Sequence, residues 1–231
     1  MAQRDEVVTA KLHTKNEYSM AKPFRLLVLT TIIGMISPAA YAADTGQIVD
    51  ALKQGGHVVV FRHVETDESQ KDVYPFRFDD MGAQRQLSDK GRETARQIGG
   101  QLTALKIPVG EIYTSKLNRA VETGKLIAGK DVTPIADLTD SGAGNPSAMA
   151  RPGGGGNAQL GQALRRLANA PPKPGMNTIL VTHKTNIADG FGKDWNDVKE
   201  GEASVFKPSG ADGPTLVGRI QAADFIRLKG N

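Results

Sequence analysis

The chain has 231 residues, 39% of them apolar, with a formal net charge of +4 and no cysteine. Disulfides, thiolate-bound metals and cysteine-linked lipid anchors are thereby excluded, and the apolar fraction is enough for a substantial core. Five basic residues (Arg4, Lys11, Lys15, Lys22, Arg25) and three acidic ones (Asp5, Glu6, Glu17) fall in the first 42 positions. The remainder is nearly balanced and has no broad field for nucleic acid, so affinity for anions is expected to be local.

In chain order, residues 1–42 read as a leader with a secretory signal whose core spans 20–42. Lys22 and Arg25 supply positive charge, Leu26 to Ile36 is an apolar run, Pro38 breaks it, and Ala40-Tyr41-Ala42 offers small residues for cleavage. The run is short for a membrane-spanning helix, although an uncleaved anchor is the alternative. The expectation is a periplasmic or secreted protein with no membrane span after cleavage. Residues 43–231 then form a single domain.

Thr45 to Gln54 reads as a helix closed by Gly55-Gly56. Val58-Val59-Val60-Phe61 follows as a buried strand that ends at Arg62-His63. Residues 64–86 are polar and aperiodic, a long loop beyond that strand. Ser88 is placed as an N-cap, with Ala95, Ile98, Leu102 and Leu105 at helical spacing behind it. Glu111 to Thr114 is a strand, Leu117 to Ala128 a helix, and Val132 to Leu138 extended. Ser141 to Gly156 is a glycine-rich loop that lacks the Gly-Lys-Ser/Thr ending of a nucleotide loop. Gln159 to Leu167 is a helix. Thr178-Ile179-Leu180-Val181-Thr182 is a second buried strand that runs into a histidine, His183, with a helix starting near Thr185 or Asn186. Ala203 to Lys207 and Thr215 to Ile220 close the chain as two strands around the Ser209-Gly210 turn. Strands alternating with helices predict an α/β domain with a mainly parallel sheet.

His63 and His183 each stand just past the carboxyl end of a buried strand, so in a parallel sheet both face one edge. Arg119 opens the helix after the Tyr113-Thr114 strand, where the helix dipole and free N–H groups favour an anion. Arg62, Arg119, His63 and His183 therefore outline a phosphoryl pocket, because a guanidinium fork matches phosphate oxygens. A zinc site at the two histidines is the competing reading. No third ligand follows at a recognisable spacing, and Arg62 would repel a cation. A further alternative is that His183 only caps a helix.

Four segments carry a resemblance. Phe61-Arg62-His63-Val64-Glu65-Thr66 resembles the Arg-His-Gly-Glu-Thr signature of the histidine phosphatase superfamily, phosphoglycerate-mutase-like branch. Leu87-Ser88-Asp89-Lys90-Gly91-Arg92 is similar to its helix start. Tyr113 to Thr123, with Arg119-Ala120, resembles its Ser-Ser-x-x-x-Arg-Ala-x-Gln-Thr element, and Val181-Thr182-His183 its second histidine. The segment Gly201 to Phe206 is similar to one in small exported members. Val64 and Lys184 stand where glycines are usual: Val64 is expected to narrow the backbone approach to phosphate, and Lys184 to favour a multiply anionic substrate.

The resemblance implies a three-layer α/β/α fold and an exported, metal-independent phosphomonoesterase with no cofactor. His63 would be the nucleophile, carrying the phosphoryl group as phosphohistidine. Arg62, Arg119 and a protonated His183 would bind the phosphate. The proton donor is expected at Asp140, in Leu138-Thr139-Asp140, with Glu202 as its rival. The expected partner is a phosphorylated small molecule or glycan, with a phosphoprotein also compatible. A phospho-ligand binding module on the same fold and a phosphomutase are the alternatives.

Overall fold

A computed structural model describes residues 44–139 and 158–228. The leader with its signal core, Asp140 and the glycine-rich stretch 141–156 lie outside the described residues. The elements are α1 (Thr45–Gln54), β1 (Val58–Arg62), α2 (Asp89–Ala104), β2 (Val109–Thr114), α3 (Asn118–Ala128), β3 (Thr133–Pro134), α4 (Ala158–Ala168), β4 (Asn177–Thr182), α5 (Lys184–Phe191), β5 (Ala203–Lys207), β6 (Thr215–Ile220) and α6 (Ala222–Arg227). Among the described residues no helix is long and apolar enough to cross a membrane.

The strands form one sheet in the order β3-β2-β4-β1-β5-β6. β1, β2, β3 and β4 run parallel, while β5 and β6 are an antiparallel pair beside β1. β1 and β4 are buried on both faces, and alternation divides their side chains between two cores. Val59, Phe61, Ile179 and Val181 join α1, α2, α3 and α6 through Ile48, Leu52, Ile98, Leu102, Ile127 and Phe225. Val58, Val60 and Leu180 join α4 and α5 through Leu164, Ala168 and Ile187. This is the expected three-layer α/β/α arrangement. Val132 to Leu138 differs from the extended segment expected: only Thr133–Pro134 pairs, and Ala136–Leu138 tightens into a 3-10 turn that buries Leu138. The short α6 gave no helical signal in the sequence.

In the loop after β1, Thr66 bridges Leu87, and the Ser88 N–H donates to the Glu65 carbonyl at 3.1 Å. Ser88 Oγ caps α2 by accepting from the Gly91 N–H at 3.0 Å, and donates to Glu65 Oε1 at 2.9 Å. Gly91 sits so close that an added Cβ would lie 2.1 Å from the Glu65 carbonyl oxygen. A methyl group there must push α2 away from the loop. Gly91→Ala is therefore expected to lower stability by about 1–3 kcal/mol, the range for overpacking a tight contact. Urea denaturation of the two proteins checks this, and an unchanged midpoint would mean that the loop yields freely.

Candidate active site

The parallel register sets the site. Arg62 pairs with Thr182 across β1 and β4, so His63 and His183 leave the sheet at one level. The His63 N–H still donates to the Thr182 carbonyl at 3.0 Å, which holds the two chain exits together. The imidazoles are both buried, with ring centroids 5.2 Å apart. β2 ends at the same edge, where the Ser115 N–H donates to the Val181 carbonyl at 2.9 Å. Ser115 Oγ accepts from the Leu117 N–H at the start of α3 and lies 2.8 Å from His183 Nε2.

His63 Nδ1 is 2.8 Å from the Val64 carbonyl oxygen. A carbonyl can only accept, so the hydrogen resides on Nδ1 and Nε2 keeps its lone pair. Burial is the largest cause that holds His63 well below its ordinary pKa, followed by the charge of Arg119. His183 is also pushed well down, by burial first and then by Arg119. Without a ligand both imidazoles are thus neutral at pH 7. The expected protonated form of His183 is opposed here by burial and by the neighbouring guanidinium groups, which disfavour a further positive charge.

The two expected arginines are present and each carries a carboxylate. Arg62 donates from Nη1 to the Val198 carbonyl at 2.9 Å and from Nη2 to Glu200 Oε1 at 3.1 Å. Burial raises the Glu200 pKa, against the opposing charges of Arg62 and Arg85. Arg119 Nη1 donates to Asp72 Oδ1 at 2.9 Å, with side-chain exposures of only 4% and 10%. Asp72 comes from the long loop, and the same oxygen accepts the Arg85 N–H at 2.9 Å. An anionic group of the protein thus already occupies donors that a phosphoryl oxygen would need. Val64, expected to crowd the phosphate, instead buries its side chain in the larger core beside Gly201. Lys184 is exposed.

Glu202, the rival proton donor, is 0% exposed. Its Oε1 accepts from Arg219 Nε at 2.6 Å; its Oε2 accepts from Gln221 Nε2 at 2.6 Å and from the Lys199 N–H at 3.1 Å. Both oxygens are therefore engaged by protein donors. This corrects the expectation for Glu202: its carboxylate ties β5 to β6 and the preceding loop. Sequence reading overlooked Asp72, Arg85, Glu200 and Ser115. Ser115 lay within a recognised motif without a role. The other three have no local pattern and reach the site only through tertiary packing. Among the described residues, no group of three or more His, Asp or Glu is arranged to hold a metal ion.

Two expectations follow. Glu202→Gln places an amide where Gln221 and Lys199 already donate. It should cost about 3 kcal/mol, the lower end for breaking a buried pair because Arg219 stays partly exposed. Denaturation measures this, and a variant of normal stability with a selective defect on alkyl phosphates would restore Glu202 as donor. The histidine pair should also make stability depend on pH. Both folded pKa values lie below the ordinary 6.5, so as pH drops below that value the unfolded chain binds protons that the folded chain does not. Stability should decline from about pH 6.5 toward about pH 5, less steeply in His63→Gln. Identical slopes in the two proteins would show that His63 is not a source of the decline.

Residues 58–151 match the sequence profile of the histidine phosphatase superfamily (branch 1). No curated protein matches the chain by sequence. Among solved structures it is similar to the protein histidine phosphatase SixA complexed with tungstate, at 13% identity and a TM-score of 0.49, over 72% of this chain and 97% of that one. The alpha-ribazole phosphatase from Shigella flexneri gives 18% and 0.49, over 72% and 96%. A mycobacterial glucosyl-3-phosphoglycerate phosphatase with inorganic phosphate gives 18% and 0.49, over 73% and 99%.

Proposed function

We propose, from the premise that the chain belongs to the histidine phosphatase superfamily (branch 1), that it is an exported phosphomonoesterase working through a phosphohistidine at His63. The observation that carries the reading is the tautomer of His63: a neutral, buried imidazole with Nδ1 tied to the Val64 carbonyl and Nε2 left as a lone pair.

In this mechanism His63 Nε2 attacks phosphorus and the ester P–O bond breaks. The departing oxygen takes a proton, and water then attacks the phosphohistidine to release phosphate. Charge spread over the equatorial oxygens is met by Arg62, Arg119 and His183, which fixed positions make effective. The phosphoryl dianion, arriving beside His183, brings negative charge next to the imidazole. It thereby raises the pKa of His183 toward the protonated, donating form. The phosphate must also displace the Asp72 carboxylate from Arg119, an exchange of one anion for another.

Asp140 is the proposed proton donor. The residues before it are anchored at the site: Thr182 Oγ1 donates to the Leu138 carbonyl at 2.7 Å, and the Lys116 N–H donates to Thr139 Oγ1 at 2.9 Å. Thr139, its neighbour in sequence, is thus held beside the strand end that leads into His183. No metal takes part in this scheme, since arginines supply the charge neutralisation. Export rests on the signal-like composition of residues 20–42. Sugar phosphates, envelope glycan phosphates and phosphoproteins are the substrate classes to be screened.

Brief incubation with labelled aryl phosphate should leave acid-labile label on His63 in the wild type and none in His63→Ala, which should release no phosphate. The label should form equally in excess EDTA. Acid-stable label, label on another residue, or turnover that needs added zinc or magnesium would each overturn this assignment.

A further inference from the structure

The large apolar side chains that stand exposed among the described residues gather in one stretch. Of six such residues four fall between positions 73 and 81, namely Val73, Tyr74, Phe78 and Met81. Scattered apolar residues on a surface need no explanation, whereas a cluster of them marks a place where something binds. Half-buried Phe76 joins the cluster into a row. Its ring centroid lies 4.7 Å from that of Tyr74 and 6.2 Å from that of Phe78, and both contacts are tilted. A further ring can add to such a row by stacking or edge contact.

Both ends of the row are tied to the first turn of α3, where Arg119 stands. Asp72, the residue before Val73, pairs with Arg119 itself. At the other end Gln84 Nε2 donates to the carbonyls of Arg77 and Phe78 at 2.8 and 3.0 Å, while its Oε1 accepts the Asn118 N–H at 2.9 Å. The Val73 N–H closes the loop on the Ala83 carbonyl at 2.8 Å. Lys116 Nζ lies 6.0 Å from the centroid of the Phe78 ring, and the neighbouring Ser115 touches His183. The rings therefore border the pocket on its α3 side. The loop's charges do not suit an anionic membrane, since Asp72, Asp79 and Asp80 outnumber Lys71 and Arg77. A phosphate seated on Arg119 instead brings its own alcohol beside the row.

Resting on the phosphatase reading above, we propose that Tyr74, Phe76 and Phe78 form a stacking platform for the leaving group, so that the preferred substrates are phosphoesters of ring-bearing alcohols. An aryl ring and the C–H face of a sugar ring share the flat apolar surface that such a platform takes. A linear chain has comparable apolar area but no such face, and aromatic contacts add to area burial only where the geometry fits.

Methylphosphonate, hexylphosphonate, 3-phenylpropylphosphonate and 3-cyclohexylpropylphosphonate, which offer no ester bond to cleave, are the probes. Their dissociation constants are measured by calorimetry on the full chain at neutral pH, for wild type, Tyr74→Ser, Phe78→Ser and Phe78→Tyr. Wild type should bind a ring compound about tenfold more tightly than methylphosphonate, and more tightly than hexylphosphonate. Tighter binding of the phenyl compound assigns aryl esters, and of the cyclohexyl compound sugar esters. The preference for a ring should fall to about a third of its value or less in the two serine variants. Phe78→Tyr keeps the ring and should keep the preference. Tyr74 and Phe78 are each 41% exposed, so the variants should hold the wild-type melting temperature. Hexylphosphonate bound as tightly as the ring compounds, no preference in the wild type, or an unchanged preference in both folded serine variants overturns the proposal. Failure of the phosphatase reading looks different: wild type then releases no phosphate from any phosphoester, while the ring preference and its loss in the serine variants still stand.

Discussion

The hydrogen bond from His63 Nδ1 to the Val64 carbonyl is short-range, yet most of the site exists to preserve it. It fixes the tautomer only while the ring is neutral, and the ring is neutral because it is desolvated among positive charges. Desolvation in turn needs His183 beside it and the sheet edge behind it. The register of β1 on β4 is thus an electrostatic requirement as well as a structural one. A slip of one residue would turn every side chain of β1 to the opposite face and leave the imidazole elsewhere.

The same logic explains why carboxylates sit among the arginines. Guanidinium groups gathered around two neutral imidazoles would repel one another if left bare, more strongly inside a protein than in water. Asp72 and Glu200 each neutralise one of them at about 3 Å. These pairs set a threshold for entry, since an incoming anion must compete with the carboxylates. A phosphoryl dianion carries more charge and more acceptor oxygens than a carboxylate, which is the sense in which the threshold selects.

Much of this was legible in the sequence because the strands announce themselves. Val58–Phe61 and Thr178–Thr182 are uninterrupted apolar runs that end at histidines, and in a parallel sheet such ends must meet. Ser88 and the spacing behind it placed α2 to within a residue. Glu202 misled because a carboxylate near a motif looks the same in sequence whether it faces a pocket or a buried arginine; Arg219 and Gln221, on the next strand, decide which. Asp72 and Arg85 were illegible for a related reason. The loop that carries them has no period, and its conformation is set by side-chain bonds to α3 rather than by local propensity. The three-residue turn at Ala136–Leu138 is likewise a matter of where Leu138 can be buried, which no propensity encodes.

The sheet's outer strands carry a consequence for the protein's behaviour at high concentration. An unpaired strand edge is a template on which another chain can add a strand and begin a fibre. Among the described residues, one side of the sheet ends in β3, only two residues long, and its second residue, Pro134, has no N–H to offer a neighbour. On the other side, β6 is displaced against β5 by an irregularity between Val205 and Phe206, so its outer row of donors and acceptors is not a flat ladder. The buried strands that build the pocket are among the most apolar segments of the chain. They lie inside the sheet, behind two borders that resist growth into amyloid.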